Sequence, residues 1–294
     1  WTGMLTYIQT VVIYTFVLGS IYLLISLGFS LICGVLRIFH LGYAYIFPLT
    51  IYGTWMFMTA LDWPLIPSIL GMVVIQFIVA VLIYKGMVKK YMYTEDVLLT
   101  ALLLVALIVE QAANYFYPIQ AGVYLNTTLV DGVFQIGAVV VPNQLMLSAV
   151  IGLAMTGIFV VFFVKTKTGM AIRALSQDIY SSKIVGINVE ALYMFTMMIV
   201  LLPVIIGMLL VAPVLEVNPF MGWTYMITAI LVAVLGGLGN IKGTIMASFL
   251  IGFTHAIACN VIGEPRFMNL SALILVMVIL VVRPQGLARS ESLW

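Results

Sequence analysis

KTKTGMAIRALSQDIYSSKIVGIN, residues 165–188, is the stretch of this chain that decides how the rest must be arranged. It contains Lys165, Lys167, Arg173 and Lys183, whereas the sequence on either side of it is almost continuously apolar. A polar run of this kind lies in water while its neighbours lie in lipid. The stretch therefore predicts a loop at a membrane surface, where the membrane part of the protein meets something soluble.

The composition of the whole chain is that of a polytopic membrane protein. Its 294 residues are 64% hydrophobic and 7% charged, whereas about a quarter of the residues in a typical soluble domain are charged. The formal net charge of +2 is too small and too scattered to indicate a nucleic-acid partner. Cys33 and Cys259 lie within apolar stretches without metal-ligand spacing, so we expect packing roles for both, with no metal and no cofactor.

Apolar segments recur along the chain and predict a single all-α transmembrane domain over residues 1–294. A spanning helix needs about 20 mostly apolar residues, and about eight or nine segments meet that need. They are residues 8–36, 41–61, 66–84, 97–115, 145–164, 191–214, 223–235, 244–262 and 270–282. The seventh is short and ends in GGLGNIKG, residues 236–243, so it is either a full crossing or half of a broken element. A similar glycine-ended helix, SLICGVLRIFHLG at residues 30–42, suggests an inverted repeat.

The charges predict the orientation of the chain, because basic residues are enriched in cytoplasmic loops. The basic residues that fall on one side are Arg37, Lys85, Lys89, Lys90, Lys165, Lys167, Arg173, Lys183, Arg283 and Arg289. Asp62, Asp131 and Glu216 fall on the other side. We therefore expect a multi-pass protein of the inner membrane, with its N-terminus outside and its C-terminus in the cytoplasm.

Two loops have patterns of their own. In the largest outer loop, the alternation in GVFQIGAVVVPNQ, residues 132–144, predicts a short strand or hairpin. This element is either a lid over helix ends or part of a docking surface for an external partner.

In the inner loop, Ile172, Leu175 and Ile179 recur at helical spacing and Gly186 provides a stop, which predicts a short amphipathic helix. It lies either on lipid headgroups or in a protein groove. Its polar face, with Arg173, Gln177, Asp178 and Ser181, lacks the dense Lys and Arg of a lipid-binding face and favours the groove.

Several motifs together resemble one transporter family. They are TGMAIRALSQD at residues 168–178, IVGIN at 184–188, NPFMGW at 218–223, VAVLGGLGNIKGTIMASFLIG at 232–252 and LGSIYLLISLGFSLICGVLRIFHLGYAY at 18–45. This set resembles the LivH/LivM-type permeases of branched-chain amino acid ABC transporters, and the length is closer to LivH. The resemblance runs from about residue 18 to residue 287.

The resemblance implies a transmembrane subunit that pairs with a second, LivM-like permease, two cytoplasmic ATPases and an extracytoplasmic substrate-binding protein. It also implies that the cytoplasmic loop, about residues 165–189, is the coupling helix that seats in an ATPase. The positions that match the coupling motif are Gly169, Arg173, Ala174, Asp178, Gly186 and Ile187. HLGYA at residues 40–44 and PVIIG at 203–207 depart from the family pattern. These departures concern the substrate more than the architecture. The resemblance implies branched-chain amino acids as the leading substrates, with urea, short amides and other amino acids as alternatives.

Few residues within the predicted spans are candidates for a translocation path. Glu110 either lines an outer vestibule or lies at the level of the lipid headgroups. His255 either lies on the path or forms a hydrogen bond between two helices. The glycines of residues 236–243 either expose backbone groups that hold the ends of a zwitterion or pack helices tightly. The candidate path residues are Glu110, Gly236, Gly237, Gly239, Asn240, Gly243 and His255.

No Walker A motif and no nucleophile with a base at a credible spacing occur in the sequence, so we expect no enzyme activity. ATP hydrolysis then belongs to the partner ATPases. The sequence also allows two alternatives. One is an ion-coupled secondary carrier, for which Glu110 and His255 are the only candidate pair, and the other is a non-transporting membrane scaffold.

Overall fold

The chain forms an all-α membrane bundle with one small hairpin. The computed structural model describes residues 2–117, 128–214 and 217–288, so Arg289 and Glu216 lie outside the described residues. The helices are α1 (Thr2–Leu36), α2 (Ile46–Ala60), α3 (Leu65–Ile83), α4 (Lys89–Tyr91), α5 (Glu95–Phe116), α6 (Asn143–Lys165), α7 (Lys167–Gln177), α8 (Ile179–Ile184), α9 (Val189–Ile199), α10 (Leu201–Val211), α11 (Met221–Gly236), α12 (Ile241–Ile257) and α13 (Phe267–Val282). The strands are β1 (Val133–Ile136) and β2 (Val139–Pro142).

Each predicted span contains a helix, and the all-α polytopic class is confirmed. Within the described residues, 6 helices are long and apolar enough to cross a membrane. They are Met4–Leu36, Leu65–Tyr91, Glu95–Phe116, Asn143–Lys165, Val189–Val211 and Ile241–Ile262. The other three predicted spans contain α2, α11 and α13, which have 15, 16 and 16 residues. At 1.5 Å per residue these are about 24 Å long, shorter than the roughly 30 Å of a hydrocarbon core.

Helix α1 is the central element of the bundle. In its most apolar window 89% of the residues are buried, and it packs most extensively against α12 and then against α6, α11 and α10. Small residues allow the contact with α12, because a Cβ atom on Gly252 would lie 2.7 Å from the backbone nitrogen of Gly19. Glycine at such a crossing lets two helix backbones approach closely. The core of the protein is therefore arranged around its first helix.

The chain between the first two long elements is irregular. Arg37 ends α1 with a φ of 54°, and a 3₁₀ segment, Leu41–Tyr45, precedes α2. The hydroxyl of Tyr43 donates a hydrogen bond of 2.7 Å to the carbonyl of Ile25 in α1. The predicted second span, residues 41–61, is therefore not one continuous α-helix, because its first turn is held against α1.

Two ends of the bundle differ in character. At the basic end, Lys89 forms an ion pair with Glu190, and Arg37 bonds to the carbonyl of Ser176. The opposite end, called the hairpin end, contains β1 and β2, which pair as an antiparallel hairpin in the register Ile136 to Val139. The predicted hairpin is confirmed. Gly137, with a φ of 63°, supplies the positive φ that a two-residue hairpin turn needs.

Candidate functional site

The polar stretch at residues 165–188 forms two helices, not one. Helix α7 ends at Gln177, and Asp178 adopts an extended conformation with φ −148° and ψ 109°. Its carboxylate accepts hydrogen bonds from the backbone nitrogens of Tyr180 and Ser181, at 2.8 and 3.2 Å. The prediction of a single amphipathic helix with Asp178 on its polar face is therefore wrong. Aspartate is a strong N-cap residue, and here it ends one helix by starting the next.

The charge of Asp178 is stabilised where it stands. Hydrogen bonds from the hydroxyl and backbone nitrogen of Ser181 hold the pKa of Asp178 below its usual value, and the nearby guanidinium of Arg37 acts in the same direction. The carboxylate is therefore ionised at neutral pH, which is the form that caps α8.

The apolar face of α7 packs onto the bundle itself, and not onto lipid headgroups or into the groove of a partner. Ile172 and Leu175 are fully buried, and Ile179 is half-buried at the start of α8. Gly169 allows the helix to come close, because a Cβ atom there would collide with the carbonyl oxygen of Phe162 and lie 2.6 Å from the Cα of Phe163. Any side chain at this position would push α7 away from α6.

Arg173 and Ala174 have different surroundings. A guanidinium nitrogen of Arg173 donates to the carbonyl of Val164 at 3.2 Å, in the last turn of α6, where a positive charge also complements the helix dipole. Ala174 is exposed, and its carbonyl accepts from the backbone nitrogen of Asp178 at 3.0 Å. Arg173 thus fixes the corner between α6 and α7.

Gly186 ends α8 as the sequence predicts. Its φ of 88° is left-handed, and its N–H donates to the carbonyl of Lys183 at 3.0 Å. The N–H of Ile187 donates to the carbonyl of Ser182 at 3.1 Å. These two bonds form a Schellman motif, for which glycine is the preferred residue.

The exposed apolar side chains in α8 and directly after it were not identified from the sequence. Tyr180, Ile184 and Val185 are 75%, 71% and 80% exposed, at the end of the bundle that carries the basic residues. We call these three residues the rim patch. Tyr180 and Ile184 are four residues apart and so lie on one face of α8, which is the signal that could have identified them.

Arg37 connects this segment to the centre of the bundle. Its Nη2 donates to the carbonyls of Ser176 and Gln177, at 2.8 and 3.0 Å. These are the last carbonyls of α7, which lack partners within their own helix. The sequence indicated Arg37 as a topology signal and as part of the motif at residues 18–45. It did not indicate the contact with α7, because a contact across roughly 140 residues leaves no local pattern.

Glu110 is buried within the bundle. It is 6% exposed, and its carboxylate accepts a hydrogen bond from the indole nitrogen of Trp223 on α11. The side-chain nitrogen of Gln111 lies 3.4 Å from the same carboxylate. The structure therefore places Glu110 against protein.

The glycine turn, residues 236–243, buries its backbone. A Cβ atom on Gly243 would collide with the carbonyl of Gly236, and one on Gly34 of α1 would collide with the Cα of Gly239. The side chain of Asn240 caps α12 by accepting from the nitrogen of Gly243 at 3.0 Å. Gly237 has a φ of 92° and lies close to the carbonyl of Ala288. Of the two readings of these glycines, the geometry favours tight packing over exposed backbone.

His255 forms a hydrogen bond between α12 and α1. Its Nδ1 lies 2.8 Å from the hydroxyl of Tyr22 on α1, and the two rings meet edge to face. The other ring nitrogen is buried and has no hydrogen-bond partner within the described chain. His255 therefore closes the contact between α1 and α12.

The candidate path residues do not form one cluster. Gly243 and His255 are twelve residues apart on α12, about 18 Å. Trp223, the partner of Glu110, and Gly236 are thirteen residues apart on α11, about 20 Å. Within the described parts of the chain, no group of three or more His, Cys, Asp or Glu residues could hold a metal ion.

Comparison with known proteins is consistent with this architecture. Residues 11–282 match the family model described as the permease component of the branched-chain amino acid transport system. The chain is 25% identical to the high-affinity branched-chain amino acid transport system permease protein BraD of Pseudomonas aeruginosa, over 92% of each chain. It is 24% identical to the permease protein LivH of the same system in Escherichia coli, also over 92% of each chain.

A solved structure has a similar fold. It is PsaBC from Streptococcus pneumoniae in complex with Fab, with a TM-score of 0.51 and 14% sequence identity. The match covers 95% of this chain and 92% of that chain. At this identity the likeness concerns the fold alone.

Proposed function

Because the chain belongs to the family of branched-chain amino acid transport permeases, we propose that it is the transmembrane subunit of an ATP-driven importer in the inner membrane. Its substrates are branched-chain amino acids or related small amino acids and amides. ATP hydrolysis takes place on separate cytoplasmic ATPases, one of which docks on α7 and α8. The other partners are a second, LivM-like permease and an extracytoplasmic binding protein.

The rim patch supports this proposal above other features. Tyr180, Ile184 and Val185 are largely exposed at the basic end, which the positive-inside rule places in the cytoplasm. Large apolar side chains that cluster in contact with water mark a protein interaction site. A patch raised on a short, capped helix fits a groove on a soluble partner.

Movement of the rim patch is transmitted to the membrane-spanning helices through two connections. Gly169 and Arg173 hold α7 to the end of α6, and Arg37 holds the end of α7 to α1. Packed helices move as rigid bodies and do not deform continuously. When the ATPases close, α7 and α8 therefore act as a lever on α6 and α1 and switch access from one side of the membrane to the other.

The ion-coupled carrier is the weaker candidate. It needs one buried ion site, and Glu110 and His255 are its candidate pair. Glu110 bonds to Trp223 between α5 and α11, whereas His255 bonds to Tyr22 between α1 and α12. No described contact joins the two, so we favour the ATP-driven importer.

A charge in the rim patch tests the proposal. We expect Val185→Asp in the complete transporter, reconstituted in liposomes, to abolish ATPase co-purification and to lower ATP-driven leucine uptake at least tenfold, because a carboxylate cannot be buried unpaired. The matched control for ATPase co-purification is Val133→Asp in β1, a valine that is also exposed but lies at the hairpin end. Retention of ATPase and uptake by Val185→Asp would overturn the assignment.

A further inference from the structure

A cavity lies at the basic end, next to the glycine turn. Its volume is about 360 Å³, within the range of about 300–1,000 Å³ that is usual for small-molecule sites. The end of α1 with the residues that follow it, the first turns of α5 and the glycine turn border it. Its lining includes Cys33, Arg37, Glu95, Leu98, Leu99 and Leu238.

Two opposite charges line this cavity without pairing. Arg37 and Glu95 both border it, yet among the described residues the ion pair is formed by Lys89 and Glu190, not by these two. Arg37 uses Nη2 to bind the carbonyls of Ser176 and Gln177, and a guanidinium has five N–H donors in all. Donors of Arg37 and the carboxylate of Glu95 thus remain available to a ligand that carries both charges.

The remaining wall is apolar. Leu98 is 2% exposed, Leu99 is half-buried, and Leu238 extends from the glycine turn with 39% of its surface exposed. Leucine side chains on both sides provide a surface for a branched hydrocarbon group. The cavity therefore combines a cation, an anion and an apolar wall.

We propose that this cavity is a binding site for a zwitterionic amino acid with a branched apolar side chain, the last site before release at the basic end. Arg37 binds the α-carboxylate, Glu95 binds the α-ammonium group, and the leucines contact the side chain. The inference rests on the proposed function and names the form in which the substrate is recognised. A lipid phosphate fits less well, because Glu95 would repel it.

The position of Arg37 connects this site to the rim patch. The same guanidinium that borders the cavity binds the last carbonyls of α7. A shift of α7 therefore moves one of the two charges that hold the ligand. Release of the amino acid is thereby coupled to movement of α7 and α8.

Direct binding tests the site. The permease complex with its ATPases, in nanodiscs and without the binding protein, is titrated with L-leucine and followed by saturation-transfer difference NMR. We expect Glu95→Gln to raise the Kd for leucine at least fivefold, because a charge-assisted hydrogen bond is lost. Asp96→Asn is the matched control, since it removes a charge from the same turn of α5 but does not border the cavity. We expect it to leave the Kd unchanged.

Two ligand analogues sharpen the test. 4-Methylpentanoate lacks the ammonium group and isopentylamine lacks the carboxylate, so we expect each to bind the wild-type complex at least fivefold more weakly than leucine. Glu95→Gln should not weaken binding of 4-methylpentanoate further. Equal Kd values for Glu95→Gln and Asp96→Asn would overturn the inference, as would a stronger response to a short-chain anionic phospholipid than to leucine.

Failure of the site and failure of the proposed function have different signatures. The wild-type transporter with its binding protein and ATP is assayed for leucine uptake in liposomes. Without uptake, the proposed function fails. With uptake but no effect of Glu95→Gln on leucine binding, only the site in this cavity fails.

Discussion

The stretch at residues 165–188 and the glycine turn at residues 236–243 both interrupt the spans at the basic end, yet they use their residues in opposite ways. The first buries one face and exposes Tyr180, Ile184 and Val185. The second packs Gly236, Gly239 and Gly243 against neighbouring backbone. The first therefore presents the side chains on which we propose that a partner docks, whereas the backbone of the second holds α1, α11 and α12 together.

The largest effect is expected when a methyl group is added in the glycine turn, which tests whether this turn is a packed scaffold. We expect Gly243→Ala to destabilise the fold by about 3 kcal/mol or more, because its Cβ would collide with the backbone carbonyl of Gly236, which has no flexible side chain to move away. Thermal unfolding of the purified protein in detergent measures the effect. Gly157→Ala is the control, since a Cβ there meets nothing within 4 Å. Equal melting temperatures would show that the turn is not a packed scaffold.

A methyl group at Gly169 tests the other region of the comparison, residues 165–188. Its Cβ would also meet backbone, at Phe162 and Phe163, but the displaced helix lies at the rim of the bundle. We expect Gly169→Ala to cost about 1–3 kcal/mol locally, to preserve the fold and to lower ATP-driven uptake several-fold. ATPase activity should persist while uptake falls, so the ratio of ATP hydrolysed to leucine transported is the measurement. An unchanged ratio would contradict the proposal that α7 and α8 act as a lever on α6 and α1.

The smallest effect is expected at the cap between α7 and α8. Asp178→Ala removes the acceptor for Tyr180 and Ser181, so α8 should fray and uptake should fall slightly, whereas Asp178→Asn keeps an oxygen acceptor and should behave like the wild type. Hydrogen exchange of the α8 amides measures the fraying. Equal exchange rates for Asp178→Ala and the wild type would show that the Asp178 carboxylate does not stabilise α8.

The same cap predicts a pH dependence with a definite sign. The pKa of Asp178 is lowered in the folded protein, so its contribution is fully present above its unfolded pKa of about 3.9 and is lost as the pH falls through the lower folded value. Exchange rates in α8 should therefore not change between pH 5 and pH 8 beyond the intrinsic chemical dependence.

Much of the fold could be predicted from the sequence, because hydropathy, turn residues and caps are local signals. The nine apolar segments, the hairpin with Gly137, the buried Ile172 and Leu175, and the stop at Gly186 all follow from patterns a few residues long. The break at Asp178 was missed, although a polar residue that can cap a helix carried the signal.

The candidate sites were less predictable. Arg37 and Glu95 are separated by two apolar segments, and their common cavity depends on how α1 and α5 pack. The glycines of residues 236–243 were open to two readings, and the choice between them depended on the neighbours that surround each Cβ position.

By itself, the sequence determined that this chain is an all-α membrane bundle with a polar segment at its surface, because burial in lipid requires long apolar helices with internal hydrogen bonds. Only the tertiary structure decided which interruption is exposed and which is packed, that Arg37 reaches α7, and that two unpaired charges share a cavity. Such properties depend on distances between residues far apart in the chain, and those distances are set by packing of whole helices rather than by any local pattern.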